Sequence, residues 1–179
     1  MKTLNVIWLM VIACVLNTML VFGQSESQKN KIIADSQTSK AEFIAADGFM
    51  KGLFNTSYGY VIFPNVGKGG IGVGGAAGNG VVYEKNQMVG MAKLSQVSIG
   101  FQAGGQAYRE VIFFESKKAL DRFRSSQLEF SADVSAVAVK AGASANAKYA
   151  KGVMVFTMQK GGLMYEASVG GQKFKFKPM

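Results

Sequence analysis

The chain has 179 residues, a formal net charge of +9 and 22 glycines, with no histidine, one cysteine and one tryptophan. These counts exclude a His general base, Ser-His-Asp and Cys-His nucleophile systems, and imidazole or multi-thiolate zinc sites. A lone cysteine also excludes an intrachain disulfide. The excess of Lys and Arg favours partners that carry phosphate, such as lipid head groups, nucleic acid or lipopolysaccharide.

Residues 1–23 have the features of a signal peptide. Lys2 precedes an apolar run from Leu4 to Phe22, and Gly23 is a small residue at the expected cleavage point. We therefore expect an exported protein, either periplasmic or secreted. Two alternatives stay open: lipidation of Cys14 after lipoprotein-type processing, and an uncleaved anchor.

The segment Ser27–Asn55 is predicted to be helical, because Phe43, Ala46 and Met50 recur at a spacing near 3.6 residues. Its middle part is polar, so we expect residues 24–41 to be a helical or loose N-terminal segment and residues 42–179 to be the main domain. One interpretation is a helix packed on a sheet. The other is an amphipathic segment that lies on a membrane, and the two are compatible.

From Gly59 onward the apolar period changes to two, which predicts strands. Pro64 is expected to end the first strand, Gly78-Asn79-Gly80 to form a hairpin turn, and residues 85–87 to form the next turn. The strands expected after the first are Gly70–Gly74, Val81–Glu84, Val89–Ala103, Tyr108–Phe114, Val153–Met158, Leu163–Val169 and Lys173–Lys177.

Between the predicted strands Tyr108–Phe114 and Val153–Met158, Ser116 is a suitable N-cap for a short helix that ends at Arg124. The segment Phe130–Ser144 is ambiguous between strand and helix. The predicted fold is α+β: an antiparallel, Gly-rich sheet of about eight to ten strands, curled into a barrel or sandwich, with an N-terminal helix and one short internal helix.

The familiar catalytic and nucleotide-binding motifs are absent. No Gly-x-Ser-x-Gly elbow or Ser-x-x-Lys dyad occurs, and the glycines at 72–78 lead into a predicted hairpin, where a dinucleotide fold needs a helix. Paired carboxylates are the remaining acid/base candidates: Glu42/Asp47, Glu115/Asp121 and Glu129/Asp133. Their basic neighbours indicate surface ion pairs, so we predict no enzyme, no cofactor and no metal.

The basic residues are more informative. Lys173, Lys175 and Lys177 alternate with Phe174 and Phe176, so a strand would carry its lysines on one face and its aromatics on the other. Such a strand is either a Lys-protected sheet edge or a cationic surface for anionic head groups.

A second basic feature is Lys68, which stands before Gly69 and Gly70. A Gly-rich turn with one Lys can hold a phosphate through its backbone amides, although an ordinary strand connection also fits. Export and the lack of a reading module disfavour nucleic acid.

Four groups of residues resemble the SYLF domain family, also called the Ysc84-type lipid-binding domain. They are Gly59–Gly75, Ser95–Tyr108, Phe113–Phe123 and Lys160–Gly171. The order of the four groups matches over residues 42–178, and the likeness is to exported bacterial members that consist of this domain alone.

The resemblance implies lipid binding. Eukaryotic SYLF proteins bind phosphoinositides, partly through an amphipathic N-terminal helix, and some bind actin and carry SH3 or FYVE domains. Because this chain has neither added domain and is predicted to be exported, actin is disfavoured as a partner.

We therefore predict a non-enzymatic domain that binds anionic lipids or a membrane surface. The alternative is a structural or protein-interaction component of the cell envelope, in which Phe174 and Phe176 would lie in an interface. The predicted lipid-binding residues are Lys29, Lys31, Lys40, Lys51, Lys68, Gly69, Gly70, Lys173, Lys175 and Lys177.

Overall fold

The structure is a computed structural model that describes residues 26–71, 73–99, 105–128, 136–160 and 169–179. The described helices are α1 over residues 26–46, α2 over Met50–Thr56 and α3 over Lys117–Arg124, with a 3-10 helix over Ala143–Asn146. The described strands are β1 Gly59–Ile71, β2 Val73–Glu84, β3 Gln87–Ile99, β4 Gly105–Phe114, β5 Ala136–Ala138, β6 Val153–Gln159 and β7 Gln172–Pro178.

The strands form one sheet in the order β5-β6-β4-β1-β2-β3-β7. Every pairing is antiparallel except that of β5 with β6. Among the described strands, β5 and β7 are therefore the two edges, and β7 joins the sheet beside β3 although three other strands lie between them in the sequence.

Helices cover both faces of the sheet. On the inner face, Phe123 and Leu120 of α3 pack against Val61, Phe114 and Phe174. On the outer face, Phe43 of α1 and Met50 and Phe54 of α2 pack against the sheet. The sheet residues that they contact include Tyr60, Ile62, Phe113 and Phe156. Both cores lie toward the same end of the strands, whose residues alternate between the two faces.

The sheet curves around its inner face. Gln172 Nε2 on β7 donates to Glu110 Oε2 on β4 at 2.9 Å. These strands are four places apart in the sheet, a separation of roughly 19 Å in a flat sheet. The rings of Phe63 on β1 and Phe174 on β7 also stack with centroids 6.0 Å apart. The α+β class is confirmed, but the described strands do not close into the predicted barrel or sandwich.

The N-terminal helical region differs in detail from the prediction. Residues 26–46 are continuously helical through the polar middle, for which both a helical and a loose segment were expected, and the chain then breaks before α2. Asp47 is responsible for the break, because Oδ1 accepts from Phe49 N at 3.1 Å and Oδ2 accepts from Ser144 N at 2.8 Å and Ser144 Oγ at 2.7 Å. The Asp47 carboxylate accepts hydrogen bonds from groups outside α1, so the chain leaves the helical conformation at this residue.

Two predicted strand boundaries are wrong. β1 continues through Pro64, which lies where the register shifts between Ile62 and Asn65, and a bulge is a position where a strand tolerates proline. Asn79 lies in the middle of β2, opposite Asn65 of β1 and Lys93 of β3, so the Asn-Gly pair forms no hairpin. Hydrogen bonding of β2 to β1 and β3 along most of its length outweighs the local turn preference of Asn79-Gly80.

Other predictions are confirmed. Lys85 and Asn86 form the β2–β3 turn with positive φ angles of 48° and 64°. Ser116 caps α3 by accepting from Ala119 N at 3.4 Å. Residues 163–168 of the predicted strand Leu163–Val169 and residues 130–135 of the ambiguous segment Phe130–Ser144 lie outside the described residues. The described part of that segment contains β5 and the start of the 3-10 helix. No helix within the described ranges is both long enough and apolar enough to cross a membrane.

Candidate functional site

Four exposed lysines share the outer face at one edge of the sheet. Lys173, Lys175 and Lys177 alternate along β7 with the buried Phe174 and the half-buried Phe176, as predicted. Lys93 on β3 lies directly opposite Lys175. We call Lys93, Lys173, Lys175 and Lys177 the lysine face.

The register of β3 and β7 concentrates positive charge at this point. Lys173 is opposite Ser95 and Lys177 is opposite Met91, so no acidic residue of β3 is paired with a lysine of β7. Two like charges directly opposite one another destabilise a strand pair by about 0.2–1 kcal/mol. Edge protection accounts for the lysines of β7 but not for Lys93, which lies on the neighbouring strand β3.

A cleft of about 610 Å³ lies between α1 and the outer face, next to the lysine face. Lys31 and Asp35 of α1 line one side, and Asn65, Asn79 and Lys93 are on the sheet side. Lys93 thus belongs both to the cleft and to the lysine face. The cleft carries two lysines and one carboxylate, which leaves it positive on balance.

Lys40 is half-buried and is held in place by contacts with the sheet and α2. Its Nζ donates to Tyr60 Oη at 2.8 Å and lies 4.9 Å from the centroids of both the Phe54 and Tyr60 rings. Burial lowers the pKa of Lys40 below its ordinary value. This lysine fastens α1 to the sheet, together with the ion pair of Glu42 Oε1 with Arg109 Nη2 at 2.8 Å.

The remaining predicted residues are scattered. Lys29 pairs with Glu26 on α1, Lys51 is exposed on α2, and Lys68 lies half-buried on β1 with its side chain on the inner face. Gly69 and Gly70 belong to β1, where Gly69 is paired with Gly75 of β2 and Gly105 of β4. Of the two interpretations of Lys68-Gly69-Gly70, the ordinary strand connection is the one observed, because β1 is a central strand that uses its amides in the sheet.

The candidate acid/base pairs are used in structural contacts. Glu42 is paired with Arg109, Asp47 accepts from Ser144, and Asp121 accepts from Lys117 Nζ at 2.6 Å. Burial alone would raise the pKa of Asp47, but its hydrogen bonds from Ser144 hold it below its ordinary value. The third predicted pair, at residues 129 and 133, lies outside the described residues.

Sequence reasoning missed Lys93 and Glu110. Lys93 lies in an alternating run that predicts a strand. Its position opposite Lys175 could not be predicted, because β3 and β7 are far apart in the sequence. Glu110 had a detectable signal, since it shares the parity of Tyr108, Ile112 and Phe114 in an apolar strand. Within the described ranges, no group of three or more His, Cys, Asp or Glu side chains could hold a metal ion.

Comparison with known proteins finds a family likeness in the second half of the chain. Residues 95–178 match the family model described as Ysc84, Las17-binding protein actin regulator. Beta cell expansion factor A of Aeromonas veronii is 28% identical over 168 residues, which cover 93% of this chain and 64% of that relative. This chain therefore matches less than two thirds of the relative's length. Three of the four motif groups lie within the matched range, so the second half of the chain is similar to the Ysc84-type, or SYLF, family.

Proposed function

We propose that this protein binds anionic lipid head groups at a membrane surface through the lysine face. The observation that carries the proposal is the pairing of Lys93 with Lys175 in direct register, flanked by Lys173 and Lys177 on the same exposed face. Lipid binding is also what the likeness of residues 95–178 to the SYLF family implies, since that is a family of binding domains and not a known enzyme family.

Electrostatic attraction is the main contribution that this surface offers. Each lysine near an anionic membrane contributes roughly 1 kcal/mol, so four lysines on one face supply a useful but salt-sensitive affinity. Lys31, across the cleft, extends the positive surface toward α1.

Apolar insertion by the N-terminal helices receives less support. Phe43, Met50 and Phe54 are at most 1% exposed, because they form the outer core with Tyr60 and Phe113. Inserting them into a bilayer would first require α1 and α2 to leave the sheet. We therefore assign the contact to the lysine face and keep the helices docked.

The envelope-interaction alternative loses the feature that distinguished it. Phe174 is 2% exposed and packs between Phe63 and Phe123, so it is unavailable to a partner. Phe176 is half-buried beneath Arg124, whose guanidinium lies 5.5 Å from the ring centroid.

The test is co-sedimentation of the full chain with phosphatidylglycerol vesicles at low salt, with phosphatidylcholine vesicles as the neutral reference. The triple variant Lys173→Glu, Lys175→Glu and Lys177→Glu is expected to lose most of the binding. The matched control changes three exposed lysines elsewhere, Lys118→Glu, Lys140→Glu and Lys148→Glu, and has the same net charge. Equal losses in both triple variants would show that only total charge matters and would refute the assignment to the lysine face.

A further inference from the structure

The inner face of the sheet contains a polar patch that the proposed function does not use. Tyr108 and Glu110 lie on β4, directly opposite Gln159 and Thr157 of β6, and Gln172 of β7 completes the group by its bond to Glu110. Glu110, Thr157 and Gln172 are fully buried and Tyr108 is 1% exposed. Gln159 is half-buried and marks the side on which the patch approaches the surface.

One oxygen on each of four of these side chains has no hydrogen-bond partner among the residues that the structure describes. They are Glu110 Oε1, Thr157 Oγ1, Gln159 Oε1 and Gln172 Oε1. The Tyr108 hydroxyl is left out of this group because it interacts with the Gln172 side chain. An unsatisfied buried polar group costs about 1–3 kcal/mol, and native proteins contain only a few of them. Four on neighbouring positions of three strands therefore indicate a ligand that supplies the missing partners.

The chemistry of the patch specifies that ligand. Two of the four oxygens are amide carbonyls that can only accept, one belongs to a carboxyl group, and one is a hydroxyl that can accept. The complementary group is rich in N–H donors and positively charged. A divalent metal fits poorly, because only one carboxylate is present.

Glu110 makes the protonation state of the patch dependent on pH. Burial raises its pKa to about 8, with the hydrogen bond from Gln172 acting in the opposite direction, so the carboxyl is mostly neutral at pH 7. The other titratable or charged groups toward this face are Tyr108, Lys68 on β1 and Arg124 of α3. Burial and then Glu110 raise the pKa of Tyr108, and its hydrogen bond with Gln172 acts in the opposite direction. Arg124 is already paired with Glu84 at 2.7 Å.

We propose that this patch binds one small organic cation through a primary ammonium group. Its three N–H donors satisfy oxygens of the patch, and its charge favours the ionised form of Glu110. Binding therefore transfers the Glu110 proton to the buffer and leaves a carboxylate–ammonium pair. The site is separate from the lysine face, which lies on the opposite side of the sheet.

The test is calorimetric titration of the full chain with ethanolamine at pH 7, in two amine-free buffers that differ in ionisation enthalpy. We expect saturable binding of one ethanolamine with release of nearly one proton. The apparent affinity should rise close to tenfold per unit between pH 6 and pH 7 and level off above pH 8. Choline, which has no N–H donor, should bind at least tenfold more weakly.

Two variants separate this proposal from a structural role of the patch. Glu110→Gln should abolish proton release and the pH dependence of binding. Thr157→Val keeps the carboxyl and should weaken binding severalfold while proton release persists, and circular dichroism checks that both variants fold. As a matched control, Thr56→Val on exposed α2 should bind as the unmodified chain does.

Several results would overturn the proposal. They are the absence of ethanolamine binding, binding without proton release, equal binding of choline, or displacement of ethanolamine by millimolar potassium. The triple variant of the lysine face should retain ethanolamine binding, so failure of this proposal and failure of the proposed function are distinguishable.

Discussion

The two faces of the sheet treat ionisable side chains in opposite ways. On the outer face, Lys93 and Lys175 are exposed and face each other across adjacent strands. On the inner face, Glu110 is fully buried beside hydroxyl and amide groups. Water screens the repulsion between the lysines, whereas the buried carboxyl avoids its desolvation cost by staying protonated.

The difference has consequences for stability and for binding. Repulsion on the outer face costs little and is available to be relieved by an anion, so the lysine face can change its occupancy without changing the fold. The inner patch is coupled to the core, because Gln172 connects β7 to β4 across the curved sheet. Changes on the inner face should therefore alter stability, and changes on the outer face should mainly alter binding.

The largest expected effect comes from truncating the inner side of β7. Phe174→Ala removes a ring that is 2% exposed and packs against Phe63 and Phe123, so we expect a loss of about 3–5 kcal/mol in the free energy of unfolding. Val97→Ala, at a position that is 75% exposed on β3, should change it by less than about 0.5 kcal/mol. Urea denaturation measures both, and similar values for the two variants would contradict the burial of Phe174.

The second effect is a pH dependence of stability that originates on the inner face. The pKa of Glu110 is raised to about 8 in the folded protein, above its value in the unfolded chain. The folded state therefore binds the proton more tightly, and the contribution to stability is fully present below about pH 4.5. It is lost as the pH rises toward 8, by at most about 1.4 kcal/mol per pH unit, and is constant above that.

Glu110→Gln should flatten this part of the stability curve. Urea denaturation from pH 5 to pH 9 in amine-free buffers provides the measurement, with Glu115→Gln at an exposed position as the control. A variant curve parallel to that of the unmodified chain would mean that Glu110 is already ionised in the folded protein.

The third effect tests how closely β7 is held against β3. A Cβ at Gly90 would lie 2.5 Å from Lys177 O and 2.5 Å from the Phe176 ring, so Gly90→Ala should push the strands apart and destabilise the protein by about 1–3 kcal/mol. Gly67→Ala on β1 meets no atom within 4 Å and should be neutral or stabilising by up to about 1 kcal/mol. Thermal unfolding compares the two, and an unaffected Gly90→Ala protein would argue against this register.

Local sequence signals predicted local structure well. The cap at Ser116, the turn at Lys85 and Asn86, and the alternation of Lys175 with Phe174 depend on a few neighbouring residues, and the structure confirms them. The Asn79-Gly80 pair shows the limit, because its turn preference is outweighed by pairing with strands on both sides.

Contacts between distant parts of the chain were not predictable in the same way. The opposition of Lys93 and Lys175 requires the register of β3 with β7, and the bond of Glu110 with Gln172 requires the curvature of the whole sheet. Lys40 was also misjudged from the sequence, because its neighbours in the chain are typical of a surface lysine. Its binding to Tyr60 and Phe54 depends on where α1 crosses the sheet.

The smallest expected change in stability is the most informative about function. Lys175→Ala removes the repulsion with Lys93 and should stabilise the protein by up to about 1 kcal/mol, while it weakens binding to phosphatidylglycerol vesicles. Lys177→Ala is the matched control, because its partner is Met91: it should weaken vesicle binding to a similar degree with no gain in stability. A lysine that costs stability but increases vesicle affinity would have its role in binding. If Lys175→Ala stabilises the protein and leaves vesicle binding unchanged, the lysines of β7 serve only to protect the sheet edge.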